Sequence, residues 1–341
     1  MESFSRRILV LKPSSLGDVV HTLPAVAALK SHWSQSEITW LINPEWAPLL
    51  DGNSDVTRIK IFPRRELGGL TGWTRFPKWL ATLEKPDLAV DFQGLLRTAL
   101  IARLVGSKKI IGLSDAREGS TFFYHQTVRL PDEPLHAVER YLRLARELTG
   151  TPIKNPVFPL PAGTPPAEPS GARSPAEGSP EGMRGSAEQS IPSRFILLHP
   201  FSRGEGKSLS AADVAEFSRE LHPQNIVLVG GNHPVENLPS NVLNLLGKTT
   251  LAELIWLIRH ADFTISVDSG PMHIAAAITS KLLSIHTWSD PRLVGPYNPE
   301  AWIWKNGAIT QMGSYRWSPN EKNRPPTPSE IAEFCRTFYQ S

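Results

Sequence analysis

The sequence predicts an α/β protein built from two Rossmann-like, doubly wound halves that face a central cleft, and three observations carry that prediction. Short apolar runs alternate with amphipathic stretches of helical period from Arg7 to Thr149, the rhythm of strand-helix units on a parallel sheet. The same rhythm restarts at Phe195, after a stretch rich in Pro, Gly, Ser, Ala and Glu. The chain's 341 residues exceed the size at which a single hydrophobic core usually stops growing, so each half is expected to bury its own.

The first half, residues 1–160, is expected to hold strands at Arg7–Leu11, Glu37–Ile42, Arg58–Phe62, Leu88–Phe92 and Lys109–Gly112. Helical patterns at Val19–Lys30, Leu95–Val105 and Ala137–Thr149 lie between and after them. Residues 161–193 read as a flexible linker or insert, because they lack the large apolar side chains that would offset the entropy of ordering them. The second half, residues 194–341, is expected to carry strands at Phe195–His199, Ile226–Val229, Phe263–Val267 and Leu282–His286. Helices at Ser210–Leu221, Leu251–Arg259 and Met272–Thr279 separate them, and a last helix at Ser329–Tyr339 is expected to pack back on the first half. Two such halves imply ligands at the carboxyl ends of facing strands.

Composition narrows the function. Hydrophobic residues make up 40% and charged residues 20% of the chain, as in an ordinary globular protein. The net charge of +3 is spread without a basic run, so nucleic acid is not expected as a partner. The one cysteine, Cys335, cannot close an internal disulfide or build a cysteine metal cluster, and it reads as a small apolar side chain on the last helix. The first residues run straight into an apolar strand, too short for a signal-peptide core, and no stretch reaches the length of a membrane span. A cytoplasmic protein is expected. No His or Asp cluster has metal-ligand spacing, so no metal or other cofactor is expected.

Three segments carry chemistry. The first strand-to-helix turn runs from Lys12 to Pro24 and contains neither G-x-G-x-x-G nor a P-loop, which argues against dinucleotide and Walker-type sites. In it Asp18 reads either as a helix N-cap or as a carboxylate at the cleft mouth that accepts a proton from an attacking hydroxyl. His21 reads as a second polar contact or as a surface residue. The segment Thr264–Ala277 is an apolar strand, a polar turn and a helix with an early proline, Pro271. Its free backbone N–H groups can hold a phosphate beside the small Ser269 and Gly270, with Asp268 turned to sugar hydroxyls; the alternative is a capped structural turn. The loop His199–Leu209 brings Ser202, Arg203 and Lys207 together at a strand's carboxyl end, where they can neutralise a diphosphate. Gly230 and Gly231, followed by Asn232, His233 and Glu236, suit a ribose-binding corner or a common turn.

Several ordered motifs then resemble one family. They are Ser14-Ser15-Leu16-Gly17-Asp18-Val19-Val20-His21-Thr22-Leu23-Pro24-Ala25, Asp91-Phe92-Gln93-Gly94-Leu95, Ala116-Arg117-Glu118, His136-Ala137-Val138-Glu139-Arg140 and Ser266-Val267-Asp268-Ser269-Gly270. Together they resemble the ADP-heptose:lipopolysaccharide heptosyltransferases of glycosyltransferase family 9, the first-heptose type more than the second. The resemblance implies a GT-B fold and a metal-independent, inverting transfer. It implies that the first half binds the acceptor and the second half binds ADP-heptose.

The resemblance also implies roles for residues. Asp18 falls on the catalytic base and Lys207 on the lysine that meets the donor phosphates. Asp268, Ser269 and Gly270 fall on the donor turn, with His273 beside it, and Thr249 falls where a backbone group meets adenine. The ribose-binding glutamate aligns with Val235 or, one residue on, with Glu236; we take Glu236. Ser15, Gly17 and His21 line the acceptor wall beside Asp18. Arg64, Arg97 and Arg117 suit the carboxylates and phosphates of a Kdo–lipid A acceptor, with Arg65 next to them, although Arg64 and Arg65 read equally as solvated surface. Trp73, Phe76 and Trp79, interleaved with Arg75 and Lys78, suit either peripheral contact with the inner membrane's cytoplasmic face or ordinary packing. Two features depart from the family pattern. Lys207-Ser208-Leu209 stands where Lys-x-Trp is usual, and the Pro-rich insert is additional. A family 9 transferase with another donor or acceptor, a nucleotide-sugar hydrolase or epimerase, and a non-catalytic nucleotide-sugar-binding protein are the alternatives.

Overall fold

The computed structural model describes residues 6–64, 72–166, 190–204, 206–317 and 324–339. Arg65, the side chain of Trp73 and residues 167–189 of the expected linker lie outside the described residues.

The first half runs β1 (Arg7–Leu11), α1 (Leu16–His32), β2 (Glu37–Ile42), β3 (Arg58–Ile61), α2 (Gly72–Leu80), β4 (Leu88–Asp91), α3 (Leu96–Leu104), β5 (Lys109–Leu113), β6 (Gln126–Val128) and α4 (Ala137–Thr149). Its sheet is parallel throughout, in the order β3-β2-β1-β4-β5-β6. The second half runs β7 (Ile196–His199), α5 (Ala211–Glu220), β8 (Ile226–Leu228), β9 (Val242–Asn244), α6 (Leu251–His260), β10 (Phe263–Val267), α7 (Gly270–Ile278), β11 (Leu282–Ile285), α8 (Pro291–Val294), β12 (Trp302–Lys305), β13 (Ala308–Gln311) and α9 (Pro328–Tyr339). Its sheet has the order β13-β12-β11-β10-β7-β8-β9, with only the β12–β13 pairing antiparallel. In each sheet the order reverses at one point, between β1 and β4 and between β7 and β10. That reversal opens a crevice at the strands' carboxyl ends.

All nine expected strands form, within a residue at each end, eight of them because their apolar side chains are buried in the sheet interior; β3, at the sheet edge, leaves Ile59 and Ile61 39% and 38% exposed. Four strands were not expected. β6 and β9 are edge strands of three residues, Gln-Thr-Val and Val-Leu-Asn, too short and polar for an apolar run to stand out. β12 and β13 form a hairpin at the opposite edge. The first helix begins three residues earlier than expected, because Ser15 rather than Asp18 is its N-cap and Asp18 is the third helical residue.

α1 is buried on nearly every side. Val19, Val20, Leu23, Val26 and Leu29 are sealed where it packs on its own sheet, on α4 and on α7 of the other half. Each such side chain stabilises the fold by about 1.5–3 kcal/mol relative to exposure. The expectation for the last helix is corrected: α9 lies on α5 in the second half. Its Ile331, Ala332 and Cys335 are buried in that half's core, and Phe334 meets Phe263 and Trp302 at ring-centroid distances of 6.2 and 5.2 Å. Ser329 and Arg336 bind Glu220 of α5 from its rim. Among the described residues no helix is long and apolar enough to cross a membrane.

Candidate active site

The first wall of the cleft starts from a charge placed where a strand ends. Lys12, 3% exposed, follows β1 and needs partners for its ammonium. It donates to the Phe92 carbonyl at 3.2 Å and to the Tyr141 hydroxyl at 2.9 Å, and lies 3.8 Å from Asp18 Oδ1. The Tyr141 hydroxyl donates in turn to Asp18 Oδ1 at 3.2 Å. Asp18 Oδ2 accepts from the Ser15 hydroxyl at 2.7 Å and the Ser15 amide at 3.2 Å. The carboxylate is thereby held by both oxygens, yet its side chain stays 40% exposed. Partial burial pushes its pKa up, but Lys12 and the Ser15 and Tyr141 hydrogen bonds outweigh that and hold it below the usual carboxylate value. Asp18 is thus both a capping group for α1 and an ionised, reachable base; the two readings of the residue are compatible.

The turn after β4 buttresses this wall. Asp91, 1% exposed, accepts from the amides of Gln93 and Gly94 and from the hydroxyls of Thr98 and Tyr124. Gln93 Oε1 accepts from the Ser14 amide at 3.2 Å, tying the two turns together. The role of Asp91 is to fasten the turn, since all its hydrogen-bond contacts are internal.

Opposite, β10 delivers Asp268 and the start of α7. Asp268, 5% exposed, accepts from Lys207 Nζ at 2.6 Å. Burial raises its pKa, but His286, Lys207 and Ser289 together bring it below the usual value. The two residues expected on sugar hydroxyls and phosphates therefore pair with each other here. The Lys207 ammonium also lies 4.7 Å from the centre of the Trp288 ring. Ser269, the N-cap of α7, is oriented by His199 Nδ1 at 3.2 Å and by the Val267 carbonyl at 3.0 Å.

Between the walls lies a cavity of about 480 Å³. Ser15 and Gly17 line it from the first half; Ser202, Arg203, Thr249, Ser269 and Gly270 line it from the second, as the sequence leads one to expect. Trp46, and Phe201 stacked on His233 at 4.5 Å, also line it and were not singled out by sequence as site residues, apart from His233 in the Gly-Gly corner. Glu236 is exposed and is not one of the lining residues.

The reading of His21 as an acceptor contact is corrected. It is 4% exposed, and its Nε2 lies 2.9 Å from His273 Nδ1 across the seam between the halves. The reason is the burial of α1: one turn past Asp18, the helix faces α7 rather than the cleft. His273 therefore sits at the seam behind the donor turn, its ring against Gly17.

Arg64, Arg97 and Arg117 are exposed on loops or a helix start at the carboxyl-end rim of the first sheet. Among the described residues none of the three closes a salt bridge. Burial and the neighbouring Arg64 lower the Arg97 pKa, and its guanidinium lies 5.6 Å from the centre of the Phe62 ring. On α2, Trp79 donates to the Ile61 carbonyl at 3.1 Å, and Phe76 and Trp79 pack inward toward Phe62. Ordinary packing thus accounts for these two aromatics, while Arg75 and Lys78 stay exposed. Among the described residues no three His, Cys, Asp or Glu side chains converge as a metal-ligand set.

Lys12 and Tyr141 were not legible as site residues, although a lysine closing a buried strand was a signal that it must meet a charge or hydroxyl.

Comparison with known proteins gives this geometry a family. Residues 78–321, well over half the chain, match the model of glycosyltransferase family 9 (heptosyltransferase). The lipopolysaccharide core heptosyltransferase OpsX of Haemophilus influenzae is 25% identical over 308 residues, covering 86% of this chain and 82% of that protein. Lipopolysaccharide heptosyltransferase 1 of Escherichia coli K12 is 25% identical over 321 residues, covering 85% and 91%. Among solved structures, a family 9 glycosyl transferase from Veillonella parvula superposes with a TM-score of 0.74 at 17% identity, covering 100% of this chain and 99% of that one. E. coli heptosyltransferase WaaC with ADP superposes with a TM-score of 0.71 at 19% identity, covering 97% and 99%. The fold is that of the GT-B heptosyltransferases, and the chain belongs to glycosyltransferase family 9.

Proposed function

We propose that the protein transfers a heptose from ADP-heptose to the Kdo–lipid A inner core of lipopolysaccharide, with inversion at the anomeric carbon. The observation that carries this is the half-exposed, ionised Asp18, bonded to Ser15 on one wall of a cavity whose other wall is the Ser269–Gly270 helix start. Relatives named as lipopolysaccharide heptosyltransferases support the sugar and the pathway, and a fold relative solved with ADP-2-deoxy-2-fluoro heptose supports the donor class.

In this reading Asp18 takes the proton of the acceptor hydroxyl as its oxygen bonds to the anomeric carbon. The bond from that carbon to the diphosphate oxygen breaks on the opposite face, and ADP departs. Lys207, Ser202, Arg203 and the free N–H groups of α7 offset the charge that develops on the diphosphate, so the step calls on no metal ion. An incoming diphosphate draws Lys207 away from Asp268 and frees that carboxylate for sugar hydroxyls. Adenine lies beside Thr249. Arg64, Arg97 and Arg117 receive acceptor carboxylates and phosphates, and the exposed Arg75 and Lys78 rest against anionic lipid at the cytoplasmic face of the inner membrane.

The test is ADP release with ADP-heptose and truncated Kdo–lipid A, against UDP-, GDP- and other ADP-sugars. Release that requires acceptor, with the product anomer inverted by NMR, is expected. Asp18→Asn should lower kcat on the order of 10²–10⁴-fold while donor binding holds. Preference for another sugar nucleotide would replace the donor assignment, and release that ignores acceptor would refute transfer.

A further inference from the structure

We propose that His21, buried in the first half, holds the His273 imidazole of the second half as an Nε2–H donor at the cleft, so that this donor is complete only while the two halves touch. The inference rests on the transfer reading above for its consequence in catalysis, but its geometry stands apart from it.

The seam is built for close approach. α1 and α7 meet near their N-termini, each through a glycine. A Cβ added at Gly17 would stand 2.5 Å from His273 Cδ2, and one added at Gly270 would stand 1.9 Å from Leu16 Cδ2. This proximity brings His21 Nε2 to 2.9 Å from His273 Nδ1. Burial lowers the pKa of both rings: in His273 it outweighs Asp268 and Asp18, which raise it, and with His136 brings it to about 4, while His273 and His136 press His21 further below its usual value. At neutral pH two uncharged imidazoles share one hydrogen bond, and one of them must donate.

An orphaned atom decides which. His21 Nδ1 is buried and has no hydrogen-bond partner among the described residues. A proton there would be a sealed donor aimed at nothing, whereas a lone pair there is a far commoner lack. His21 therefore carries its proton on Nε2 and gives it to His273 Nδ1. The remaining proton of neutral His273 must then sit on Nε2. That Nε2 edge abuts Gly17, which lines the cavity, and it makes no hydrogen bond among the described residues. Both Asp268 and Asp18 favour the protonated ring electrostatically, though burial outweighs them.

His136 closes the far side of His21. Its ring stands 5.5 Å away at 70°. Its Nδ1 accepts from the Val138 amide at 3.1 Å, so its Nε2–H donates to the Gly295 carbonyl at 3.0 Å. His136 has no proton to spare for His21, and it ties the first half to the second a second time. His21 is a positioning residue: it touches no substrate and acts through His273.

The test reads the tautomer directly. Nitrogen-15 NMR of the full-length protein with labelled histidine should show His273 protonated on Nε2 and accepting at Nδ1. In His21→Phe the His273 signal should move to exchange between tautomers, with kcat lower by about tenfold and donor KM changed far less. His21→Gln, whose amide can donate at the Nε2 position, should recover most of that loss. An Nδ1-protonated His273 in the unmodified protein overturns the inference, as does equal loss in the Phe and Gln variants at matched Tm. If His21→Phe does not fold, the tautomer of the unmodified protein decides alone. Full activity of Asp18→Asn would instead sink the base assigned in the transfer reading and leave the tautomer assignment standing, whereas full activity of His273→Ala would overturn the catalytic consequence drawn here.

Discussion

At the residue scale, a sealed ammonium and a half-exposed carboxylate share one hydroxyl. Lys12 donates to Tyr141, Tyr141 donates to Asp18, and Lys12 supplies the largest influence that keeps the Asp18 pKa down. Removing either should raise that pKa and so move the acid limb of kcat/KM to higher pH. Tyr141→Phe keeps the ring's edge-on contact with Phe92 at 5.7 Å and loses only the hydroxyl, so a shift of about half a unit is expected. Lys12→Met should shift the limb further and cost about 1–3 kcal/mol of stability, because the Phe92 carbonyl loses its donor. A pH–rate profile with an unmoved acid limb in both variants would show that the network does not tune the base. Asp18, Lys207 and Asp268 were readable in the sequence because each sits in or near a polar turn or loop that follows a buried strand. Their partners were not: Tyr141 lies 123 residues from Asp18, and His273 lies 252 from His21, distances at which no local pattern carries information.

At the scale of elements, two helices, α1 and α7, meet near their N-termini across the seam. Gly17→Ala should force the His273 ring aside or part α1 from α7, because the new methyl falls 2.5 Å from Cδ2. Overpacking of this kind costs about 1–3 kcal/mol, a Tm loss of several degrees, while kcat should fall on the order of tenfold or more. Gly150→Ala is the matched control: its φ of +65° strains any side chain, but no atom lies within 4 Å of the added Cβ. It should lose comparable stability and keep its turnover, and steady-state rates on the two purified variants make the comparison. If both lose turnover alike, close approach at the seam has no special importance. The sequence made the interior strands legible because their apolar runs exist to be buried. The edges were hidden, since β6 and β9 pair on one side only and need little apolar surface. α9 was placed wrongly because a helix's apolar face shows that it packs, and only the partner surface, here Phe263 and Trp302, shows where.

At the scale of the molecule, the two crevices oppose each other, and burial of histidine is concentrated where they do. His199, His273 and His286 each titrate near 4, chiefly because burial disfavours the charged ring, and His21 and His136 are lowered for the same reason. In the unfolded chain each titrates near 6.5, so between pH 6.5 and 4 the unfolded state binds more protons than the folded one. These residues therefore contribute stability that is fully present above about pH 6.5 and is lost as pH falls toward 4. Each removes about 1.4 kcal/mol per pH unit once its unfolded form is protonated. The paired carboxylates do not share that window: Asp87 and Glu330 titrate near 2, and their contribution fades only below about pH 4. Thermal unfolding followed at pH 7.5, 6.5, 5.5 and 4.5 should give a Tm that is level at the top and falls with increasing slope below 6.5. His199→Gln, which removes one buried ring from the second half without touching the seam, should flatten that fall. A Tm that holds level from pH 7.5 to 4.5 would mean that the rings gain protons in the folded state, and that the seam and the donor wall are wetter than their burial implies.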